Sequence, residues 1–209
     1  MVHSFFGGSV TSLPPDPPSR LRTDQPVAID ERAAVDAVLA GDRDAFRILV
    51  DRESAAVVRA CHRILGDLHE AEDAAQEAFV MAFRSLAGWR ADGPFGAWLT
   101  RIAIRISLRR AQKRRDVVWI DPTDPDRPID LPGGIDPASS SLRSERAADV
   151  RAAVARLDEP YRETVALRFF GELSLDEIAT QTGRPLGTVK THLHRGLIRL
   201  RGAIDGTAQ

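Results

Sequence analysis

Arg101, Arg105, Arg109 and Lys113 stand at strict i, i+4 spacing, with Arg110, Arg114 and Arg115 beside them and no acid between Arg101 and Arg115. On a helix these side chains form one cationic stripe. Like charges at that spacing oppose the helix by about 0.2–0.5 kcal/mol per pair. A polyanion removes the penalty and gains from counterion release, so the chemistry this pattern suits is nucleic-acid binding. An ordinary solvated face usually mixes signs. Just upstream, the loop Gly88–Gly96 (GWRADGPFG) carries Trp89 and Phe95, with Trp98 beyond it. Phe95 and Trp98 read as core, whereas Trp89 is placed to stack on an unpaired base.

A second constellation is acidic. Glu70, Asp73 and Glu77 share one face of a helix in DLHEAEDAAQEAF, with Gln76 beside them. The helix dipole accounts for an acid in the first turn. Asp73 and Glu77 lie further along and repel each other, which suits a protein partner with basic residues. A third constellation is LSLDEIATQTGRPLGTVKTHLHRGLIRLR, residues 173–201. Ser174 and Glu177 have capping-box spacing, Gly183 supplies a turn, and Pro185 suits a first helical position. Val189, Leu193, Leu197 and Leu200 would face inward, and Lys190, Thr191, His194, Arg195 and Arg199 outward. This is helix-turn-helix design, with the start of the second helix aimed at a major groove.

The elements that must position these groups are helical throughout. Phe46, Leu49, Val50, Val57, Cys61, Ile64 and Leu65 recur at helical spacing, and Gly66 stops that helix. Asp67 can cap the next, whose apolar stripe runs Ala71, Ala75, Ala78, Phe79, Ala82, Phe83 and Leu86. Phe95, Trp98, Leu99, Ile102 and Ile106 line the buried side of the basic helix. The expected fold is all-α, in two small helical domains joined by a flexible acidic linker. The divisions are a Pro-rich tail at 1–28, a first domain at 29–115, a linker at 116–147, a second domain at 148–204 and a tail at 205–209. From Asp116 to Ser141 the linker has six aspartates against Arg127 alone.

Across the 209 residues, 29 Lys+Arg balance 30 Asp+Glu. The positive charge is therefore concentrated on two helices, and the negative charge on the Glu70–Glu77 face and in the linker. No apolar run approaches the roughly 20 residues needed to cross a bilayer, and MVHSFFGGSV makes a poor signal peptide. The single cysteine, Cys61, excludes an internal disulfide framework and a Cys-rich zinc site. A cytoplasmic protein fits these features. Di-metal helical bundles need paired Glu-x-x-His motifs, and none occurs. No catalytic residue, metal or cofactor is expected.

Two blocks carry a family resemblance. AEDAAQEAFVMAFR with FGAWLTRIA resembles the core of the sigma-2 domain, and residues 173–201 resemble the sigma-4 helix-turn-helix. In this order, with a short linker between, they resemble bacterial RNA polymerase sigma factors of the sigma-70 family, extracytoplasmic-function (ECF) group. The resemblance implies a factor that binds core RNA polymerase and directs promoter-specific initiation. It implies that Glu70, Asp73, Gln76 and Glu77 meet the β′ clamp helices. Trp89, Arg101, Arg105, Arg109 and Lys113 would engage the minus-10 element. Arg184, Thr188, Lys190, Thr191, His192 and Arg195 would read the minus-35 element of promoter DNA. The apolar part of Tyr161–Gly171 would contact the β flap, and the linker would follow the RNA exit path. An anti-sigma factor is a further implied partner. Arg105 and Arg109 stand where the family often has Asn and Asp, and Thr191-His192 replaces a common Ser-Arg pair. The proline of Leu157-Asp158-Glu159-Pro160 is displaced from its usual place. The competing reading is a stand-alone LuxR-type helix-turn-helix regulator, which leaves the first domain without a role.

Overall fold

The computed structural model describes residues 31–118 and 137–205. The 1–28 tail, most of the acidic linker and residues 206–209 lie outside the described residues. Eight α-helices and one short 3-10 turn make up the described chain, and no strand occurs within it. The helices are α1 (Glu31–Leu39), α2 (Asp44–Leu65), α3 (Leu68–Arg84), α4 (Phe95–Val118), α5 (Pro137–Arg156), α6 (Tyr161–Phe169), α7 (Leu175–Thr182) and α8 (Leu186–Asp205). The 3-10 turn, Leu86–Gly88, sits between α3 and α4.

Local signals set the boundaries. Gly66 adopts a left-handed conformation (φ 78°) and its N–H donates to the His62 carbonyl, ending α2. Asp67 then caps α3 by accepting from the Glu70 N–H at 2.8 Å. Pro185 falls one place earlier than its expected helical position. It precedes α8, and its carbonyl accepts from the Val189 N–H at 3.1 Å, as an N-cap carbonyl does. α5 begins at Pro137, inside the stretch expected to be linker, and a proline with its fixed φ suits a helix start.

α1 to α4 enclose a first core around Leu49, Val57, Cys61, Ala71, Ala78, Leu86, Phe95 and Leu99. Phe83, expected in this stripe, is instead 38% exposed, its ring edge-on to that of Phe46 at 5.1 Å between centroids. The second core differs from two separately closed domains. Ala60 and Ile64 of α2 and Ala97, Ile104 and Leu108 of α4 join Leu157, Val165, Leu167, Leu173, Ile178, Val189 and Leu193 in one cluster. The C-terminal helices therefore close over the flank of α4. Apolar burial stabilises by about 25 cal/mol per Å² removed from water, and Ala60, Ile64, Ala97, Ile104 and Leu108 supply the apolar side chains on the N-terminal side. Gly171 marks the close approach, because a Cβ there would lie 2.9 Å from Thr100 Cγ2.

Candidate nucleic-acid interface

α4 divides its cations among three environments. Arg109 and Lys113 are exposed. Arg110 bonds Glu77 of α3 at 2.7 Å, and Arg114 bonds Glu70 at 3.1 Å and the Leu65 carbonyl at 3.0 Å. Two of the four expected acidic-face residues are thus paired with the basic helix of their own domain. Asp73 and Gln76 remain exposed, beside Val80 and Met81 at 44% and 41% exposure. Together with Glu77, Arg84 and Arg110 they line a shallow surface depression. An acidic face with bare apolar side chains at its centre suits a docking protein.

Arg101 and Arg105 turn towards the other domain. Both Nε atoms donate to one oxygen of Glu163, at 3.1 and 2.9 Å, while Arg184 approaches the second oxygen at 3.4 Å. Arg101 also donates to the Gln181 carbonyl at the end of α7. Glu163 is 4% exposed. Burial alone would raise its pKa, but the guanidiniums of Arg101, Arg105 and Arg184 outweigh burial and hold the carboxyl below the usual carboxylate range. Sequence reasoning missed Glu163. The available signal was an acid within the short apolar helix YRETVALRF, whose neighbours Val165, Ala166 and Leu167 are all buried.

Trp89 is half-buried, its ring edge-on to the buried Phe95 at 5.9 Å and 82°. The loop around it lies against α7, where a Cβ on Gly93 would stand 3.4 Å from Gln181 Nε2 and 3.5 Å from Thr180 Cγ2.

The helix-turn-helix forms as its signals require. Ser174 Oγ accepts from the Glu177 N–H at 3.2 Å and Glu177 Oε2 accepts from the Ser174 N–H at 2.8 Å, closing the capping box. Gly183 takes the left-handed turn at φ 67°. Val189 and Leu193 are fully buried, and Lys190, Thr191, His194 and Arg195 are exposed. Thr188 is half-buried, and Arg184 points to Glu163 rather than outward. His192 is half-buried edge-on to Tyr161 at 5.7 Å, and burial, then Arg184 and Arg195, push its pKa down. Arg199 lies 4.3 Å over the Tyr161 ring. The structure therefore separates the expected minus-35 set into an exposed group on α8 and an inward pair, Arg184 and His192.

Two family descriptions match the chain: Sigma-70 region 2 over residues 49–117 and Sigma-70, region 4 over residues 147–200. The chain is 33% identical to the ECF RNA polymerase sigma factor SigW of Bacillus subtilis over 174 residues, covering 77% of this chain and 89% of the relative. It is 35% identical to the RNA polymerase sigma-H factor of Pseudomonas aeruginosa, covering 86% and 94%. With the ECF RNA polymerase sigma-E factor of Escherichia coli K12 it shares 32% identity, covering 87% and 95%. Its fold is similar to that of CnrH, solved in complex with the cytosolic domain of CnrY, with a TM-score of 0.54 and 24% identity over 84% of this chain and 97% of that one.

Proposed function

Because the chain belongs to the ECF group of the sigma-70 family and is a promoter-selecting initiation factor, we propose that it docks on core RNA polymerase through α3 and reads promoter DNA with α4 and α8. The observation carrying this reading is the division of charge. Two helices, α4 and α8, offer cations outward, while the exposed part of α3 offers Asp73 and Gln76 around Val80 and Met81. On this reading Asp73, Gln76, Glu77 and Glu70 face the β′ clamp helices. Arg109 and Lys113 contact minus-10 phosphates at once, and Arg101, Arg105 and Trp89 join them after rearrangement. Lys190, Thr191 and Arg195, with Thr188, Arg184 and His192 at the edge, serve the minus-35 element. The apolar part of α6 meets the β flap, and an anti-sigma factor competes for the same faces. The reading assigns this chain no bond-making chemistry and places it in the cytoplasm; among the described residues no helix is long and apolar enough to cross a membrane. A stand-alone LuxR-type regulator would leave the region 2 match without a role.

Run-off transcription with purified core polymerase tests the proposal, using the protein's own upstream region and a genomic fragment library as templates. A discrete transcript dependent on the protein is expected. Asp73→Arg should reduce it at least about tenfold, because a like-charge juxtaposition costs several kcal/mol. Asp73→Arg is a cleaner variant than a Glu77 reversal, which would also break the bond to Arg110. A transcript insensitive to Asp73→Arg would remove α3 from the contact.

A further inference from the structure

Glu163 joins three arginines that come from three places in the chain: Arg101 and Arg105 one turn apart on α4, and Arg184 in the turn before α8. All three belong to the expected DNA-reading sets, Arg101 and Arg105 to minus-10 and Arg184 to minus-35. A guanidinium pairs a carboxylate and a phosphate with the same fork geometry. The Glu163 carboxylate thus occupies, between the two DNA-reading elements, the place a backbone phosphate would take. We propose that Glu163 is an internal phosphate substitute that clasps the two DNA-binding domains together in the free protein, and that DNA and the clasp compete for the same arginines. This rests on the promoter-reading function proposed above.

Three further observations bear on the clasp. First, its surroundings are interdomain: Arg101 also binds the Gln181 carbonyl, and Arg63 of α2 donates to the Phe170 carbonyl at 3.1 Å and pairs with Glu172. Second, the loop carrying Trp89 is held against Thr180 and Gln181. Trp89 itself lies half-buried on Phe95, four residues along the loop from Gly93. Third, the contact is not fully satisfied. Thr100 Oγ1 and Arg184 Nη1 are buried without a hydrogen-bond partner among the described residues. A buried unpaired polar atom is unfavourable, so the closed arrangement carries a penalty that opening relieves. An interface with an apolar floor, a central charge node and buried unpaired polar atoms can both hold and release.

Opening frees the part-buried Arg101 and Arg184, and the already exposed Arg105, from Glu163 and makes all three available to DNA. Glu163→Gln keeps the side-chain shape but leaves Arg101, Arg105 and Arg184 facing one another without a counter-charge, which biases the chain open. Two readouts on the full chain test this. The exposed positions Arg47 and Asp176 are changed to Cys for a donor–acceptor dye pair; the thiol of Cys61, fully buried, stays unlabelled. Wild type should give one high-transfer population without DNA, and Glu163→Gln should lower the transfer. Binding of a labelled random-sequence duplex should tighten in the variant. Its log–log salt slope should steepen by roughly 0.9 for each arginine released to a phosphate.

A second variant does not depend on how Glu163→Gln folds. Gly93→Cys with Thr180→Cys should form a disulfide across the contact, given the 3.5 Å between a Gly93 Cβ and Thr180 Cγ2. Oxidised, this protein should bind duplex weakly and fail in run-off transcription with core polymerase; reduced, the same sample should recover both. Unchanged transfer and salt slope in Glu163→Gln, or full transcription from the oxidised pair, overturns the clasp. If wild type and the reduced pair both transcribe while those results hold, only the clasp fails. If neither transcribes from any template, the initiation-factor function fails.

Discussion

Leu193→Ala tests the way α8 is seated, on which the outward direction of Lys190, Thr191 and Arg195 depends. Leu193 is fully buried in the second core, packed with Val189, Ile178, Leu167 and Val165 in one cluster. Truncating a fully buried leucine costs the transfer of its methyl and methylene groups plus the cavity left behind, about 3 kcal/mol within a range of roughly 2–5. For a chain of this size each kcal/mol moves the melting midpoint by roughly 2–4 °C, so a fall of about 6–12 °C is expected. Urea titration should show a midpoint about 1–2 M lower at unchanged slope. The control lies on the same helix. Ile198 is 58% exposed, and Ile198→Ala should stay within about 0.5 kcal/mol of wild type. If Ile198→Ala costs as much as Leu193→Ala, α8 is rotated about its axis and the assignment of its outward cations is wrong. The comparison holds helix, substitution type and approximate side-chain size fixed, leaving burial as the variable.

Two other outcomes follow from the same geometry. Ser174→Ala removes the N-cap of an eight-residue helix that is too short to form alone, and should cost about 1 kcal/mol in urea unfolding; no loss would show that α8 orders α7 without the cap. The pH dependence of the closed form is set by Glu163, which faces Arg101 and Arg105 from α4 and Arg184 from the turn before α8. Glu159, just before α6, accepts from the Glu163 N–H. Because its folded pKa is lowered, its contribution is complete above the ordinary carboxylate value of about 4.3 and is lost as pH falls through the folded value. Interdomain energy transfer should therefore decline in acid below that range in wild type, and Glu163→Gln should lack this step.

The local part of this structure was readable in the residues. Gly66, Asp67, the Ser174–Glu177 box and Gly183 each act through hydrogen bonds within a few positions, so spacing was enough to place them. The inward face of α8 was equally plain, since Val189 and Leu193 obey the helical period. Spacing along α4 placed Arg101 and Arg105 on one face, but not opposite an acid 62 and 58 residues away. Nor did periodicity distinguish Phe83, one turn beyond Phe79 and still 38% exposed, from a core residue. Its stripe runs past the edge of the surface it covers. The pairing of Glu70 and Glu77 with Arg114 and Arg110 was hidden for the same reason: two faces with opposite charge each looked in need of a partner, and part of what they needed was each other.

The second core gives interdomain opening a thermal signature. Ile64, Ile104, Leu108, Leu157, Leu173 and Ile178 share one buried cluster across the two halves of the chain. Parting the halves wets such side chains, and hydrating apolar surface raises heat capacity by about 0.45 cal/K/mol per Å². Opening thus carries a positive heat-capacity change, so its free energy is curved in temperature: the closed form is firmest at an intermediate temperature and loosens on cooling as well as on heating. Whatever holds the halves apart must cover the wetted leucines and isoleucines or bear the cost of leaving them in water.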